Sequence, residues 1–314
     1  MTTDIPADKI DAVREHLLDW WHANRRDLPW RHTRDPYRIM VSEIMLQQTQ
    51  VDRVIPYYHR WFEDFPTIHD LASAPTSEVI RHWKGLGYNR RAVNMQRAAQ
   101  AVVERGGEFP ETVEELLDLP GIGPYTAGAI ACFAFEQDVP FIDTNMRRVL
   151  HRLFIGIDVP KPTASDKDVL AFAEAVIPPG SGWDWNQALI EFGAIHCTAR
   201  KPLCVICPLQ RECNAYPDIQ SAIAAQAKAP KGEKQIPFEQ TNRFFRGRIV
   251  DALREHEGEG VPVTELGPVL KADYSDADLP WLLELVHGLE RDGLARVAED
   301  ESGYDVSETR IRLP

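Results

Sequence analysis

The sequence predicts an all-α body followed by a small α+β domain of winged-helix type. Three observations carry that prediction. Apolar residues recur at helical spacing from Ile10 to Ile195, nothing before residue 217 alternates convincingly enough for a strand, and after residue 240 short helices give way to β-like runs.

In chain order, Ile10, Val13, Leu17 and Trp20/Trp21 mark a first amphipathic helix, which Leu28-Pro29-Trp30-Arg31 breaks. A second helix is expected over 36–50, with Met40, Val41, Ile44 and Met45 inward and Glu43 beside them. Further helical patterns occupy 76–83, 89–105, 112–118, 125–135, 146–154, 167–176 and 185–195. An Ala-, Gln-, Lys- and Pro-containing stretch at 222–237 reads as a linker with some helical tendency. Beyond it, Ile249, Val250 and Leu253 mark a helix, 261–263 a short strand, 266–270 a second helix, and Leu282, Leu285, Val286 and Leu289 a third. Two β-like runs, 294–297 and 304–311, flank an acidic turn at 299–303. The expected division is therefore a body over 1–217, a linker over 218–240 and a winged-helix-like domain over 241–314.

No run of eighteen apolar residues occurs and the N-terminus has no basic-then-apolar signal pattern, so a cytoplasmic protein without membrane contact is expected. The net charge is −13, with 23 basic and 29 acidic residues up to Pro217, then 12 basic and 19 acidic. That balance is unusual for a nucleic-acid partner, but net charge does not preclude a local basic face. Arg81, Lys84, Arg90, Arg91 and Arg97 form the densest basic run. A solvated helix face is the ordinary reading of such a run, and a phosphate-contacting strip is the functional one.

Cys197, Cys204, Cys207 and Cys213 place four soft donors within seventeen residues as C-x6-C-x2-C-x5-C. A single C-x2-C pair favours a 4Fe–4S cluster over zinc, although spacing alone leaves zinc open. Cys132, on an apolar stripe, reads as core. Leu119-Pro-Gly121-Ile-Gly123-Pro-Tyr125-Thr126 leads into a helix; its glycines permit a tight turn whose N–H groups meet an anion at the helix start, and an ordinary inter-helix turn fits equally well.

The 119–130 segment, Phe141-Ile-Asp143-Thr-Asn145 and the four-cysteine loop together resemble the helix-hairpin-helix DNA glycosylases related to endonuclease III, over residues 7–215. Leu28-Pro-Trp-Arg31, Val41-Ser-Glu-Ile-Met-Leu-Gln-Gln-Thr-Gln50, Gly85-Leu-Gly-Tyr88 and the 185–194 segment resemble the adenine-specific MutY-type branch. The resemblance implies two helical lobes, a six-helix barrel at about 30–135 and a cluster lobe from 1–29 and 136–217. It also implies one 4Fe–4S cluster and double-stranded DNA with a mispaired base as the partner, bound by a monomer associated with the nucleoid.

By the same resemblance Glu43 is the acid that protonates adenine, and Asp143, with Asn145 beside it, stabilises the cationic sugar. Burial of Glu43 on an apolar stripe would keep it protonated, whereas Asp143 also suits a plain helix cap. Gln48 and Tyr88 fill the vacated base stack, with Thr49 and the Leu86 backbone near the opposing oxidised guanine and Gly121 and Gly123 at a phosphate. Trp30, Arg31, Leu46, Val51, Tyr125 and Gln187 line the base pocket, though core packing competes for Trp30 and Leu46. Bifunctional relatives carry a lysine where Tyr125 stands, so hydrolysis without strand cleavage is expected.

Two departures stand out. Asp143-Thr144-Asn145 replaces the usual Asp-Gly-Asn, and 240–314 does not resemble the hydrolase-like domain that checks for 8-oxoguanine in bacterial and eukaryotic members. The rival readings are a thymine/uracil glycosylase acting on mispairs with guanine and a non-catalytic iron–sulfur DNA-binding regulator.

Overall fold

A computed structural model describes residues 5–228, 236–256, 258, 260–298 and 309–314. Helix α1 (Ala7–Asn24) buries Val13, Leu17 and Trp21, one face of a helix at four-residue steps. α2 (Pro36–Leu46) stops short of the expected residue 50 because Gln48 adopts a left-handed φ of 55°, which no right-handed helix continues. Gln50 is then the extended N-cap of α3 (Val51–Asp64), a helix absent from the sequence reading although Val54, Tyr58 and Trp61 are buried at helical spacing.

α4 (Ile68–Ser73), also unanticipated, opens on a reciprocal cap in which the Asp70 N–H donates to Thr67 and the Thr67 N–H to Asp70. α4 and α5 (Thr76–His82) pack on α6 (Arg90–Glu104), where the buried Gln96 amide donates to the Leu71 and Ala74 carbonyls. α7 (Val113–Leu117) lies against α8 (Pro124–Phe135).

α9 (Thr144–Leu150) runs into a wide π-type turn at His151–Ile155, α10 (Asp166–Val176) follows, and α11 (Gly182–Glu191) ends in a second π-type turn at Phe192–His196. Both wide turns adjoin the cysteine loop, in keeping with the tendency of such turns to mark functional sites. α1 packs on α11, and the Trp21 indole donates to Asp184 at 3.3 Å. α12 (Ile219–Lys228) occupies the first part of the expected linker.

The C-terminal region holds α13 (Asn242–Arg254), β1 (Val261–Pro262), α14 (Val263–Leu270), α15 (Leu279–Arg291), β2 (Arg296–Ala298) and β3 (Arg310–Arg312). The strand expected at 261–263 is shorter by Val263, which starts α14. The sheet is antiparallel in the order β1-β3-β2, with Val261 and Val297 both opposite Ile311. The acidic turn and most of the run expected at 304–311 lie outside the described residues. Three helices and a three-stranded sheet around one core match the expected α+β pattern.

By contact density the chain forms two compact units, Met1–Met40 with Glu111–Asp118 and Ile122–Gly232, and Val41–Pro110 with Leu119–Gly121 and Glu233–Pro314. In the second unit Ile80 of α5 and Val93 of α6 share one apolar core with Leu253, Val263, Leu285 and Ile311. No helix among the described residues is long and apolar enough to cross a membrane.

Candidate active site and cluster loop

In the second unit, α2 carries Glu43 in mid-helix at 4% exposure, between buried Ser42 and Ile44. Leu46 and Val51 are half-buried at either side of the turn that follows. One guanidinium organises that turn. Arg91 donates to the carbonyls of Ile44 (2.7 Å), Met45 (3.0 Å) and Gln47 (2.7 Å), and to the Thr49 hydroxyl (3.3 Å). It also reaches the carbonyls of Leu86 (3.1 Å) and Gly87 (3.2 Å).

A fork of five N–H donors can serve so many acceptors where an ammonium cannot. Burial lowers the Arg91 guanidinium to about 10. Both loops it holds contain a left-handed non-glycine residue, Gln48 (φ 55°) and Tyr88 (φ 46°), a conformation that costs energy and survives where its surroundings enforce it. Tyr88 is 38% exposed. Gly121 has φ 76°, and a Cβ there would meet Asn94 at 2.6 Å, so this glycine is required by the backbone. Gly123 is the extended N-cap of α8 with open space around it.

In the first unit the structure brings Arg31 and Gln187 together, with the Arg31 Nε donating to Gln187 Oε1 at 2.9 Å. Glu191, fully buried, holds the pair in place. It accepts from Arg31 at 3.0 Å and from the Arg26 side chain at 2.7 and 2.8 Å. Burial alone would raise the Glu191 carboxyl, but the bonds from Arg26 and Arg31 outweigh it and hold the group below its usual range. Trp30 is buried in a short 3₁₀ turn, and half-buried Tyr125 meets Phe141 edge-on with ring centres 5.6 Å apart.

Asp143 is the N-cap of α9. Its carboxylate accepts from the N–H groups of Asn145 (2.9 Å) and Met146 (2.7 Å) and from the Asn145 amide (3.0 Å). Burial nevertheless pushes this carboxyl above the ordinary aspartate range, against those donors and Arg148. Arg148 continues the chain of contacts, donating to Asn145 Oδ1 at 2.8 Å and to the Cys197 carbonyl at 2.7 Å. Thr144 has no left-handed backbone, so the residue that stands for glycine fits as the first residue of α9.

The four cysteines ring one pocket with Arg152, whose Nη1 lies 3.6 Å from Cys197 Sγ. Burial raises all four thiols, Cys207 to about 12, so they need a strongly cationic group to persist as thiolates. Among the described residues no three His, Cys, Asp or Glu side chains are placed to hold a single metal ion. A ring of thiols around a pocket suits a multi-iron cluster, and the Arg152 N–H is a donor of the kind that orients such sulfurs.

The family model for the HhH-GPD superfamily of base excision DNA repair proteins matches residues 41–174, and that for the iron–sulfur binding domain of endonuclease III matches 197–213. The chain is 45% identical to the mouse adenine DNA glycosylase, covering 67% of this chain and 43% of that one. It is 39% identical to the adenine DNA glycosylase of Mycolicibacterium smegmatis over 281 residues, covering 87% of this chain and 90% of that one. The chain belongs to the adenine DNA glycosylase family. A solved thermostable thymine-DNA glycosylase is also similar, at 36% identity and a TM-score of 0.62, covering 67% of this chain and 97% of that one.

As a member of the adenine DNA glycosylase family the chain carries a 4Fe–4S cluster, which decides the choice between zinc and iron–sulfur. It spans less than half the length of the mouse, rat and human relatives. The mycobacterial match, by contrast, is too long to end at residue 217 and so extends into the C-terminal region.

Glu191 and the clamping role of Arg91 escaped the sequence reading. Glu191 lay within the Trp185–Ala194 segment without a role, and Arg91 was grouped with a basic strip. The structure gives members of that strip acidic and carbonyl partners. Arg81 pairs with Glu78 and reaches the Arg254 and His256 carbonyls, Lys84 pairs with Glu255, and Arg90 pairs with Asp292. Several members of the strip thus have partners in the C-terminal region, although Lys84 and Arg90 stay more than half exposed, and buried Arg254 donates to the Ile80 carbonyl at 2.9 Å.

Proposed function

We propose that this protein hydrolyses the N-glycosidic bond of adenine mispaired with 8-oxoguanine or guanine in duplex DNA, acting as a nucleoid-associated cytoplasmic monomer. The observation that carries this reading is the Glu43–Thr49 segment, in which a buried carboxyl lies one turn before the strained, arginine-clamped Gln48-Thr49 turn. Glu43 delivers a proton to the departing base, which improves the leaving group. Asp143, ionised and held by its helix-start donors, stabilises positive charge on the sugar. Arg31 and Gln187, fixed by Glu191, offer polar contacts to the base, with Trp30, Leu46, Val51 and Tyr125 as its apolar surroundings. Gln48, Thr49, Leu86 and Tyr88 act on the duplex around the extruded base, Gly121 permits the tight turn, and Gly123 leaves room for a phosphate at the start of α8. Cys197, Cys204, Cys207 and Cys213 would hold the cluster, which would cross-link the loop rather than take part in hydrolysis.

Tyr125 supplies no amine for a Schiff base, so the product is an abasic site in an intact strand. Duplexes with A:8-oxoguanine, A:G, T:G and U:G, treated with enzyme and then alkali, test the reading. Cleavage of the adenine strand is expected, and borohydride should trap little covalent complex. Release of thymine or uracil in preference to adenine would favour the second reading, which the similarity to the thymine-DNA glycosylase structure supports.

A further inference from the structure

Near Tyr88 the charge of the surface reverses. α13 begins with Arg243, Arg246 and Arg248 before its first acidic residue, Asp251. With the loop after α5 it borders a groove of about 630 Å³ lined by six arginines and two aspartates. Asp292 answers both Arg90, at 3.3 Å, and Arg246, while Asp251 takes Arg254 at 2.6 Å. Arg91 is committed to the loop carbonyls.

Arg243 and Arg248 are exposed and have no carboxylate partner among the described residues. The Arg243 guanidinium lies 3.9 Å over the Tyr88 ring and 5.4 Å from that of Phe238. Arg248 donates to the Val269 carbonyl at 2.7 Å and lies 6.0 Å over Phe244.

We propose that this groove binds the phosphodiester backbone of duplex DNA, with Arg243 and Arg248 as the phosphate contacts. The proposal rests on the functional reading above and adds to it a DNA-binding surface built from the C-terminal domain. The Arg243 guanidinium, stacked on Tyr88, keeps its N–H edge for a phosphate oxygen and has less side-chain freedom to lose on binding, and Arg248, held by the Val269 carbonyl, has N–H groups left over. On a chain of net charge −13 so local an excess of arginine is directed at an anion.

The groove is continuous with Tyr88, the residue assigned to the vacated base stack, so a strand bound there lies beside the disturbed base pair. The helix that a helix-turn-helix would place in the major groove is unsuited to that task, because α15 exposes Glu284, His287 and Glu290. The domain therefore meets DNA through its first helix.

The test measures binding of the full chain in a Glu43→Gln background, which leaves the duplex uncut, to an undamaged duplex and an A:8-oxoguanine duplex across a range of salt. Each lost phosphate contact lowers the slope of log affinity against log salt by about 0.9. Arg243→Gln with Arg248→Gln should lower it by about two and weaken binding to both duplexes together by about tenfold or more. Arg105→Gln, an exposed arginine outside the groove, should leave the slope unchanged. Lysine at 243 and 248 should restore most of it, which excludes misfolding as the cause. Unchanged slope and affinity in the double glutamine variant overturn the proposal. If the enzyme with Glu43 restored then releases adenine, the functional reading survives that failure. Loss of slope in a protein that releases no adenine sustains the groove and overturns the adenine reading instead.

Discussion

Glu43 and Asp143 rest on opposite kinds of support. Glu43 is in the interior of α2, where the helix's own hydrogen bonds make no demand on a side chain. Asp143 is the residue that starts α9, and its carboxylate satisfies two backbone N–H groups that would otherwise lack a partner. The second therefore has a capping task that the first, in mid-helix, does not share. A change at Asp143 therefore reports on chemistry and on the helix cap together.

The largest effect that tests this contrast is Glu43→Gln. Base release in single-turnover assays should fall by about 10² to 10⁴, the usual worth of a general acid, while duplex affinity and melting temperature stay near those of the wild type. A stability loss as large as a core mutation's would erase the distinction. Next is Glu191→Ala, which leaves Arg26 and Arg31 without their buried partner and should cost about 3–5 kcal/mol in denaturant unfolding.

Because the Glu191 carboxyl is held below its usual range in the folded state, its contribution is present above the unfolded value of about 4.3 and disappears as pH falls through the folded one. Acid unfolding of the variant should accordingly show less pH dependence than that of the wild type across that window. Arg91→Lys replaces a fork serving six acceptors and should cost about 1–3 kcal/mol, with excision from A:8-oxoguanine reduced more than binding to undamaged DNA.

The smallest effect is the sharpest for the comparison. Asp143→Asn keeps the cap and loses the charge, whereas Asp143→Ala loses both and should be about 1 kcal/mol less stable than Asp143→Asn. Burial raises this carboxyl, so its stabilising contribution is complete below the unfolded aspartate value of about 3.9 and is lost as pH rises through the folded one. Asp143→Asn should therefore gain in melting temperature relative to wild type between acid and neutral pH. Both variants should lose base release alike; a difference between them there would give the cap a catalytic share.

The cysteine spacing, the helical body and the Gln-Gln-Thr segment were legible because each is a local pattern. The end of α2 was not, since Gln48 departs from the helix under the influence of Arg91, more than forty residues away. α3 had a readable stripe in Val54, Tyr58 and Trp61, and α4 a readable cap in Thr67 and Asp70, but neither entered the sequence reading. The partners of the basic run were not legible, because a one-dimensional charge count cannot show that Glu255 and Asp292 return to meet it. Glu191 was similarly opaque, as its partners Arg26 and Arg31 come from a distant turn.

Ile80 and Val93 belong at once to the helices that carry the Tyr88 loop and to the apolar core formed with the C-terminal region. Modularity therefore ends at that seam. An enzyme cut before α13 would not be a minimal glycosylase but one with a wound, its bared aliphatic side chains turned to water and inviting aggregation. Any graft of a foreign recognition domain onto this body would have to resurface α5 and α6 before it could be judged on its chemistry.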